Sequence, residues 1–331
     1  MTEEAVVKVV NLKKWFPVKK GFFKSLLTRK ELFLRAVDGI SFDIRTREIF
    51  GLAGESGSGK TTAGRLVLKT IDPTAGKIFF KGKDITGLTR KEMKPLRPEM
   101  QMVFQDPYES LNPRMTVKDT IAEGLGVQRI VSDEKEAEEK VLRILEDVKL
   151  VPSEQFISRY PHELSGGQRQ RVAIARAFVL DPEFIVADEP ISMLDVSIRA
   201  EILNLILELS EKYNVSFLYI THDLATARHL CDRIAIMYLG KIMEMGTAEE
   251  IVNEPLHYYT KALIAAVPVP DPKSRRTRSI VKGEIPSPIN PPSGCRFHTR
   301  CPAAEKICRE KEPELIRVSG EHYVACHKSG Q

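Results

Sequence analysis

A glycine-rich turn between an apolar strand and a helical pattern constrains this chain more than any other feature. Residues 54–61 (GESGSGKT) fit the pattern G-x-x-x-x-G-K-[ST], and residues 49–53 (IFGLA) before them are apolar. Glycines let the backbone curl so that successive N–H groups point at one anion, and the following helix presents its positive end. The turn predicts a nucleotide-phosphate site, with Lys60 on the β- and γ-phosphates and Thr61 on Mg²⁺.

A second apolar strand pattern, residues 184–189 (FIVADE), ends in two acids. Asp188 stands where the carboxyl end of a parallel strand meets a phosphate crevice, so we predict that it holds Mg²⁺ through water. Glu189 is then placed to polarise an attacking water as general base. A pair of helix N-cap acids before Pro190 is the alternative, and the phosphate turn weighs against it.

Composition excludes several classes of protein. The chain has 331 residues, of which 42% are hydrophobic and 29% charged, so it can bury a core and is not disordered throughout. No apolar run reaches the ~18 residues that span a bilayer, and no secretory pattern opens the chain. We therefore expect a cytosolic chain that cannot cross a membrane alone. A net charge of +5 is too modest to indicate a nucleic-acid partner.

Strand patterns alternate with helix patterns over residues 36–248, which predicts a parallel sheet with helices on its faces. Residues 17–35 form a basic stretch, interpreted as a surface loop, with a membrane-facing amphipathic piece as the alternative. Residues 90–164 are mostly helical in pattern. Prolines and a basic cluster in residues 268–294 predict a semi-rigid linker before a cysteine-rich tail.

The pentapeptide LSGGQ precedes the acidic strand end. Together with the two motifs above, it resembles the ATP-binding subunits of ABC transporters. The resemblance covers residues 6–267 and implies an α/β P-loop NTPase with a RecA-like core, an antiparallel β subdomain and a helical subdomain at about 92–164. The expected domains are thus 1–267, an ABC nucleotide-binding domain that hydrolyses ATP with Mg²⁺, and 268–331, a linker with a small cysteine-rich extension.

The resemblance also assigns roles to single residues. Phe16 corresponds to the aromatic residue that stacks on adenine, with neighbouring Trp15 as the other candidate. Gln105 corresponds to the glutamine that contacts Mg²⁺ and the attacking water, and His222 to the histidine that touches the γ-phosphate. The implied catalytic residues are Glu189, His222 and Gln105. The implied ligands of Mg²⁺ are Thr61, Gln105 and Asp188, and the implied ATP-binding residues are Phe16, Gly54, Glu55, Ser56, Gly57, Ser58, Gly59, Lys60, Thr61 and Thr62.

A second anion site is expected at the pentapeptide, because Ser165 and the N–H groups after it stand at a helix start. In the family this signature serves the ATP of the other protomer, and Asp195 matches the loop that crosses the dimer interface. Two ATP molecules would therefore be sandwiched head to tail, and hydrolysis would release the dimer. The signature residues are Leu164, Ser165, Gly166, Gly167 and Gln168.

Several stretches resemble the peptide-importer branch, including residues 104–107 (FQDP), 110–113 (SLNP) and 294–298 (GCRFH). Residues 96–115 are similar to the F-type ATPase subunit of dipeptide and oligopeptide importers. This implies a D-type paralogue or a second copy as ATPase partner, two transmembrane permease subunits, an extracytoplasmic solute-binding protein, and a peripheral location on the cytoplasmic face of the membrane. Import of oligosaccharides is one alternative, and a soluble ABC ATPase acting on nucleic acid or ribosomes is another.

Four of the five cysteines, Cys295, Cys301, Cys308 and Cys326, lie in the tail. Their spacing lacks the Cys-x2-Cys pairs of structural zinc sites. A few members of the resembling family carry a [4Fe–4S] cluster here, and thiolates suit that cluster. Zn²⁺, with His298, His322 or His327 as substitute ligands, and disulfides or free thiols are the alternatives. We expect a structural role, since the tail is remote in sequence from the nucleotide motifs; a redox sensor is the other hypothesis.

Two positions depart from the family pattern. Arg47 precedes Glu48 where glycine is usual, so the turn there must form without glycine. Met193 stands where a smaller residue is common. Cys231, which lies apart from the other cysteines, is expected in the core.

Overall fold

The computed structural model describes residues 4–18, 31–266 and 283–329. The chain divides into two compact units. The first comprises Met1–Val6, Ile44–Ile49 and Gly87–Tyr219, and the second comprises Val7–Asp43, Phe50–Thr86 and Ile220–Gln331. Within the described ranges no helix combines the length and the apolar character needed to cross a membrane.

Twelve strands are found in the described residues: β1 (Ala5–Pro17), β2 (Phe33–Arg45), β3 (Ile49–Ala53), β4 (Ala75–Phe80), β5 (Lys83–Asp84), β6 (Met100–Val103), β7 (Phe184–Asp188), β8 (Ser216–Thr221), β9 (Arg233–Tyr238), β10 (Lys241–Thr247), β11 (Ile316–Ser319) and β12 (His322–Val324). The same residues form eleven α-helices: α1 (Lys60–Val67), α2 (Arg90–Met93), α3 (Pro107–Ser110), α4 (Val117–Gln128), α5 (Glu134–Asp147), α6 (Gly166–Phe178), α7 (Val196–Tyr213), α8 (Leu224–Leu230), α9 (Ala248–Asn253), α10 (Tyr258–Ala266) and α11 (Lys306–Glu310).

The second unit contains an antiparallel sheet and a mixed one. In the first of these β4 pairs antiparallel with both β1 and β5, in the order β2-β1-β4-β5. In the mixed sheet β3 pairs in parallel with β9, and β9 pairs antiparallel with β10. All five residues of β3 are buried. The strand that leads into the phosphate turn is therefore a core strand, as its apolar run predicts.

The cysteine-rich tail continues this mixed sheet. β12 pairs antiparallel with β10, with Glu244 opposite Val324, and β11 pairs with β12 at the edge. The tail is thus hydrogen-bonded to the nucleotide-binding core of the second unit. The predicted domain boundary at residue 267 falls outside the described residues, as do residues 19–30 of the basic stretch and residues 268–282 of the proline-rich one.

The first unit contains parallel strands and most of the helices. β6 pairs in parallel with β7, with Met100 opposite Phe184, and β7 and β8 are buried along their whole length. The helical pattern of residues 90–164 did not reveal β6, because a run of only four residues carries little periodicity. The turn before β3 forms without glycine, as expected: Arg47 adopts the left-handed conformation at φ 63°.

Candidate functional site

The phosphate-binding loop, residues 54–62, needs glycine at two places for steric reasons. Gly54 and Gly59 have φ of 151° and 106°. A Cβ atom on Gly54 would lie 2.2 Å from the carbonyl oxygen of Met237, and one on Gly59 would lie 2.0 Å from that of Ala36. Backbone oxygens cannot move aside as a flexible side chain can, so the loop closes only without side chains at these positions.

Lys60 begins α1 and turns back into the loop. Its side chain is buried, and Nζ donates hydrogen bonds to the carbonyl oxygens of Gly54 at 2.8 Å and Glu55 at 3.0 Å. The ammonium group therefore lies inside the curl that the sequence predicts to hold phosphate. Thr61 follows it in the first turn of α1, as the motif requires.

The two aromatic candidates for the adenine face differ in their partners. Trp15 is engaged, since its indole N–H donates to Asp38 at 2.9 Å and the Arg35 guanidinium lies 4.6 Å from its ring centroid. Phe16 is 37% exposed, with the Lys14 ammonium 5.1 Å from its ring centroid. This arrangement favours Phe16 for stacking on a base, and its role stays a prediction.

His222 follows β8 directly in the second unit and is exposed. The next residue, Asp223, caps helix α8 by accepting a hydrogen bond from the N–H of Ala225 at 2.9 Å. The histidine is thus held at a strand-to-helix turn, the position that the family pattern predicts.

In the first unit the acidic strand end brings two predicted catalytic residues together. Asp188 is the buried last residue of β7. Glu189 has the left-handed conformation, at φ 47°, and its carboxylate accepts a hydrogen bond from Gln105 Nε2 at 3.3 Å. A left-handed glutamate is strained, and such strain concentrates at sites where chemistry fixes the direction of a side chain.

The signature pentapeptide begins helix α6 with a capping box. Ser165 Oγ accepts from the N–H of Gln168 at 3.3 Å, and the Gln168 side chain accepts from the N–H of Ser165 at 2.9 Å. A Cβ atom on Gly167 would lie 2.8 Å from a methyl carbon of Ile198, so the helix packs closely here. Ser165 itself is exposed, which leaves the start of α6 open to solvent.

Asp195 is the N-cap residue of helix α7 and is exposed. Apolar side chains flank it: Met193 is 61% exposed and Val196 is 80% exposed. Both apolar side chains therefore face solvent on either side of Asp195.

The four tail cysteines converge on one small cavity. Cys295, Cys301, Cys308 and Cys326 all line a cavity of about 20 Å³ in the second unit. Burial raises the pKa of the Cys295 thiol to about 12. Within the described ranges, no group of three or more His, Cys, Asp and Glu side chains is arranged to hold a metal ion. Cys231 is buried, as expected for a core residue.

The tail, though remote in sequence, touches the phosphate-binding loop. Arg300, next to Cys301, forms two hydrogen bonds with the Glu55 carboxylate, of 2.7 and 3.1 Å. The Tyr259 hydroxyl accepts a hydrogen bond from the N–H of Glu55 at 2.8 Å. Sequence reasoning missed Arg300 and Tyr259. The only signal was the pair of arginines between two cysteines in residues 295–301, and it named no partner.

Comparison with known families agrees with this geometry. Residues 37–192 match the model of the ABC transporter family, and residues 243–308 match that of the oligopeptide/dipeptide transporter C-terminal region. The second match includes three of the four tail cysteines. The two matches together cover the phosphate-binding loop, Gln105, the signature pentapeptide, the acidic strand end and residues 295–301 of the tail.

Individual relatives extend over nearly the whole chain. The oligopeptide transport ATP-binding protein AppF of Bacillus subtilis is 48% identical, over 98% of this chain and 98% of its own length. Among solved structures, the ATP-binding cassette MJ0796, a dimer bound to ADP and Pi, is 28% identical at a TM-score of 0.63, over 73% of this chain and 98% of that one. The cassette cbiO1 from Clostridium perfringens, part of the transporter complex cbiONQ, is 27% identical at a TM-score of 0.64, over 76% of this chain and 92% of that one.

These likenesses confirm the ABC ATPase fold and the enzyme class that the three motifs predict. The MJ0796 cassette forms a dimer, and cbiO1 is part of a transporter complex, so ABC cassettes dimerise and associate with transporters. The identity over nearly the full length of AppF decides the branch. The chain belongs to the ATP-binding proteins of the oligopeptide/dipeptide ABC transporter family, whose hydrolysis of ATP is coupled to transport.

Proposed function

We propose that this chain energises the import of dipeptides and oligopeptides as the F-type ATPase subunit of a membrane transporter. The observation that carries the proposal is the 48% identity to an oligopeptide transport ATP-binding protein over 98% of both chains. The match of residues 243–308 to the oligopeptide/dipeptide C-terminal region supports the same branch. Import of an oligosaccharide by the same machinery is the alternative substrate class.

Hydrolysis of Mg²⁺-ATP follows from the residue roles that the family resemblance implies. The phosphate-binding loop and Lys60 neutralise the phosphates, while Thr61, Asp188 and Gln105 hold Mg²⁺ directly or through water. Glu189 polarises the attacking water, and the amide of Gln105 orients the carboxylate from 3.3 Å. His222 contacts the γ-phosphate, and Phe16 stacks on the adenine.

The proposal includes a head-to-tail dimer with a D-type paralogue or a second copy of this chain. Its support is the exposed start of α6 at Ser165, where the positive end of the helix suits a phosphate. The exposed apolar side chains of Met193 and Val196 around Asp195 give a second contact surface. In this arrangement ATP joins the two protomers, and its hydrolysis separates them.

Two exposed aromatic residues beside Gln105 support contact with transmembrane permease subunits. Phe104 is 39% exposed and Tyr108 is 63% exposed. The Tyr108 ring packs against Arg169, whose guanidinium carbon lies 3.8 Å from the ring centroid. Since Arg169 directly follows the signature pentapeptide, movement of a permease against Tyr108 would reach α6. We propose a peripheral position on the cytoplasmic face of the membrane, with a solute-binding protein on the other side.

Glu189→Gln tests the assignment of the base. We expect ATP binding to survive, hydrolysis to fall by about 10²–10⁴-fold, and an ATP-bound dimer to accumulate. Glu211→Gln, at an exposed position late in α7, is the matched control and should leave turnover unchanged. Turnover by Glu189→Gln equal to that of wild type would refute the assignment.

The transported solute requires a reconstituted system. The chain is placed in vesicles with its permease subunits, ATP inside and the binding protein outside, and uptake of labelled oligopeptide is measured. We expect unlabelled peptide to compete with that uptake and oligosaccharide not to compete. The reverse result would move the proposal to an oligosaccharide importer and leave the ATPase mechanism intact.

We further propose that the cysteine cavity binds a [4Fe–4S] cluster. The observation that favours it is that four thiols, the donor set that such a cluster prefers, line one cavity. In the described residues these thiols are not arranged around a metal position, so binding would require the tail to rearrange. The cluster would cross-link four points of the tail. Because the ligands of such a cluster are thiolates, binding must displace protons from the thiols, and affinity should increase with pH.

Anaerobic purification followed by visible absorption and analysis of iron, acid-labile sulfide and zinc tests the cluster. We expect a brown protein with about four irons, lost in Cys301→Ser and retained in the core control Cys231→Ala. One zinc in a colourless protein would establish the zinc alternative. A protein without metal would leave disulfides or free thiols.

A further inference from the structure

The segment between the first two tail cysteines, residues 295–301, forms a compact turn that we call the cysteine turn. The N–H groups of Arg300 and Cys301 both donate to the carbonyl oxygen of Phe297 at 3.0 Å. The Phe297 ring is fully buried and packs against two tyrosines, with centroids 5.4 Å from Tyr238 and 5.3 Å from Tyr259. The turn is therefore anchored in the core of the second unit, and its two arginines leave it from fixed positions.

One of these arginines reaches the phosphate-binding loop. Arg300 holds both carboxylate oxygens of Glu55 in a bidentate pair, with its own side chain only 10% exposed. Every polar group of Glu55 is engaged: its N–H donates to Tyr259 at 2.8 Å and its carbonyl accepts from Lys60 at 3.0 Å. The tail thus fixes Glu55, which lies between Gly54 and Lys60 in the loop.

The other arginine reaches the aromatic side of the nucleotide site. Arg296 pairs with Asp38, and both side chains are almost fully buried, at 5% and 7% exposure. Asp38 in turn accepts the indole N–H of Trp15 at 2.9 Å. Trp15 adjoins Phe16, the predicted adenine-stacking residue. One turn of the tail is therefore linked to both ends of the predicted ATP site.

Charge gives the Arg300 contact a further consequence. A glutamate inside a phosphate-binding loop places a carboxylate beside a site that must accept a triphosphate, and like charges at short range in a partly buried site repel. A bidentate guanidinium neutralises that carboxylate and fixes its direction. Without Arg300 the Glu55 carboxylate would lose its ion-pair partner.

We propose that the cysteine turn is a positioning element for ATP, in which Arg300 neutralises and orients Glu55 while Arg296 orients the Trp15 side through Asp38. Neither arginine needs to touch the nucleotide; each acts through a residue that does or that adjoins one. The proposal rests on ATP binding at residues 54–62 and is independent of any metal at the cysteines. It makes the tail part of the nucleotide site.

The test is a double-mutant cycle on the full chain, measuring Kd for ATP and for AMP by calorimetry. Arg300→Gln should weaken ATP binding by about tenfold and AMP binding much less, because repulsion grows with the phosphate charge. Adding Glu55→Gln should restore most of the ATP affinity, because the carboxylate that needed Arg300 is gone. Arg309→Gln, an exposed arginine of the same tail, is the matched control and should match wild type.

Three results would overturn the proposal: an unchanged Kd in Arg300→Gln, equal losses for ATP and AMP, or no recovery in the double variant. If Arg300→Gln does not fold, Glu55→Gln and Glu55→Gln/Arg300→Gln are compared instead. Their ATP affinities should agree, and a tenfold difference between them would refute the charge argument. Wild-type ATP binding in the same titration separates this outcome from a failure of the ATPase assignment.

The aromatic side has its own readout, because Trp15 is the only tryptophan of the chain. Arg296→Gln should shift the emission of the folded protein, since it removes the buried one of the two arginines that pair with Asp38 and leaves the half-exposed Arg35, at 3.7 Å. Arg309→Gln should leave the emission unchanged. An emission spectrum of Arg296→Gln identical to wild type would refute the part of the proposal in which Arg296 orients Trp15 through Asp38.

Discussion

The phosphate-binding loop and the cysteine turn meet at Glu55, but their conformations have different origins. The loop is shaped by its own residues, since Gly54 and Gly59 stand where a Cβ atom would strike backbone. The cysteine turn acts through partners far away in the chain, reaching Glu55 and Asp38 across about 250 residues. The comparison shows that local backbone chemistry can be recognised in a sequence, whereas a tertiary ion pair cannot.

The largest effect on stability is expected when Phe297, the buried residue that anchors the cysteine turn, is replaced. Phe297→Ala removes a fully buried ring packed on Tyr238 and Tyr259 and should lower the free energy of unfolding by about 3–5 kcal/mol. Phe16→Ala, at an exposed ring, is the control: it should cost little stability but weaken ATP binding. The comparison of urea unfolding with ATP titration for both variants checks this. Equal stabilities for the two variants would contradict the anchoring role.

The second largest effect is expected when a sterically required glycine of the phosphate-binding loop is replaced. Gly59→Ala should weaken ATP binding by about a hundredfold, since it combines a strained φ with a clash against the Ala36 carbonyl. Gly57 has a positive φ of 76° as well, but a Cβ atom there meets nothing within 4 Å. Gly57→Ala should therefore lose clearly less affinity. If the two variants bind ATP equally poorly, backbone strain alone, and not the close approach, explains the need for glycine.

Motifs with local chemistry allowed much of the site to be predicted from the sequence. The strand before the loop, the helix after it, the acidic end of β7 and the capped start of α6 all follow from patterns of a few residues. The Gln105–Glu189 contact came from the family resemblance and not from the spacing. β6 was missed because four residues carry too little periodicity, and the pairing of β12 with β10 because sheet partners are not encoded in either strand.

The buried Asp38 carboxylate, which links Arg296 to Trp15, should make the free energy of unfolding depend on pH. Burial opposes ionisation of Asp38, but the charges of Lys241 and Arg296 outweigh it and hold its pKa below the usual value. A lowered carboxyl pKa stabilises the fold above about pH 4, where the unfolded chain has also lost this proton, and the contribution disappears as the pH falls through the folded pKa. Asp38→Asn should therefore cost about 2 kcal/mol at pH 7 and progressively less as the pH falls below about 4. Unfolding curves over this pH range check this, and a cost independent of pH would exclude the charge as its cause.

The smallest effect concerns a local rule away from the nucleotide motifs. Arg47 occupies the left-handed region, at φ 63°, where the family usually has glycine, and its N–H donates to Ser216 Oγ at 2.8 Å. Arg47→Gly keeps that backbone hydrogen bond and removes the strain of a Cβ atom, against a gain in the conformational freedom of the unfolded chain. We expect a net stabilisation of about 0.5–1 kcal/mol, measured as a higher urea midpoint, with ATP affinity unchanged. Arg47→Ala, which keeps the Cβ atom, is the matched control and should not stabilise. If both variants stabilised the protein equally, removal of the Arg47 side chain, and not relief of its backbone conformation, would be the cause. The conformation of this turn would then depend on distant partners, as that of the cysteine turn does.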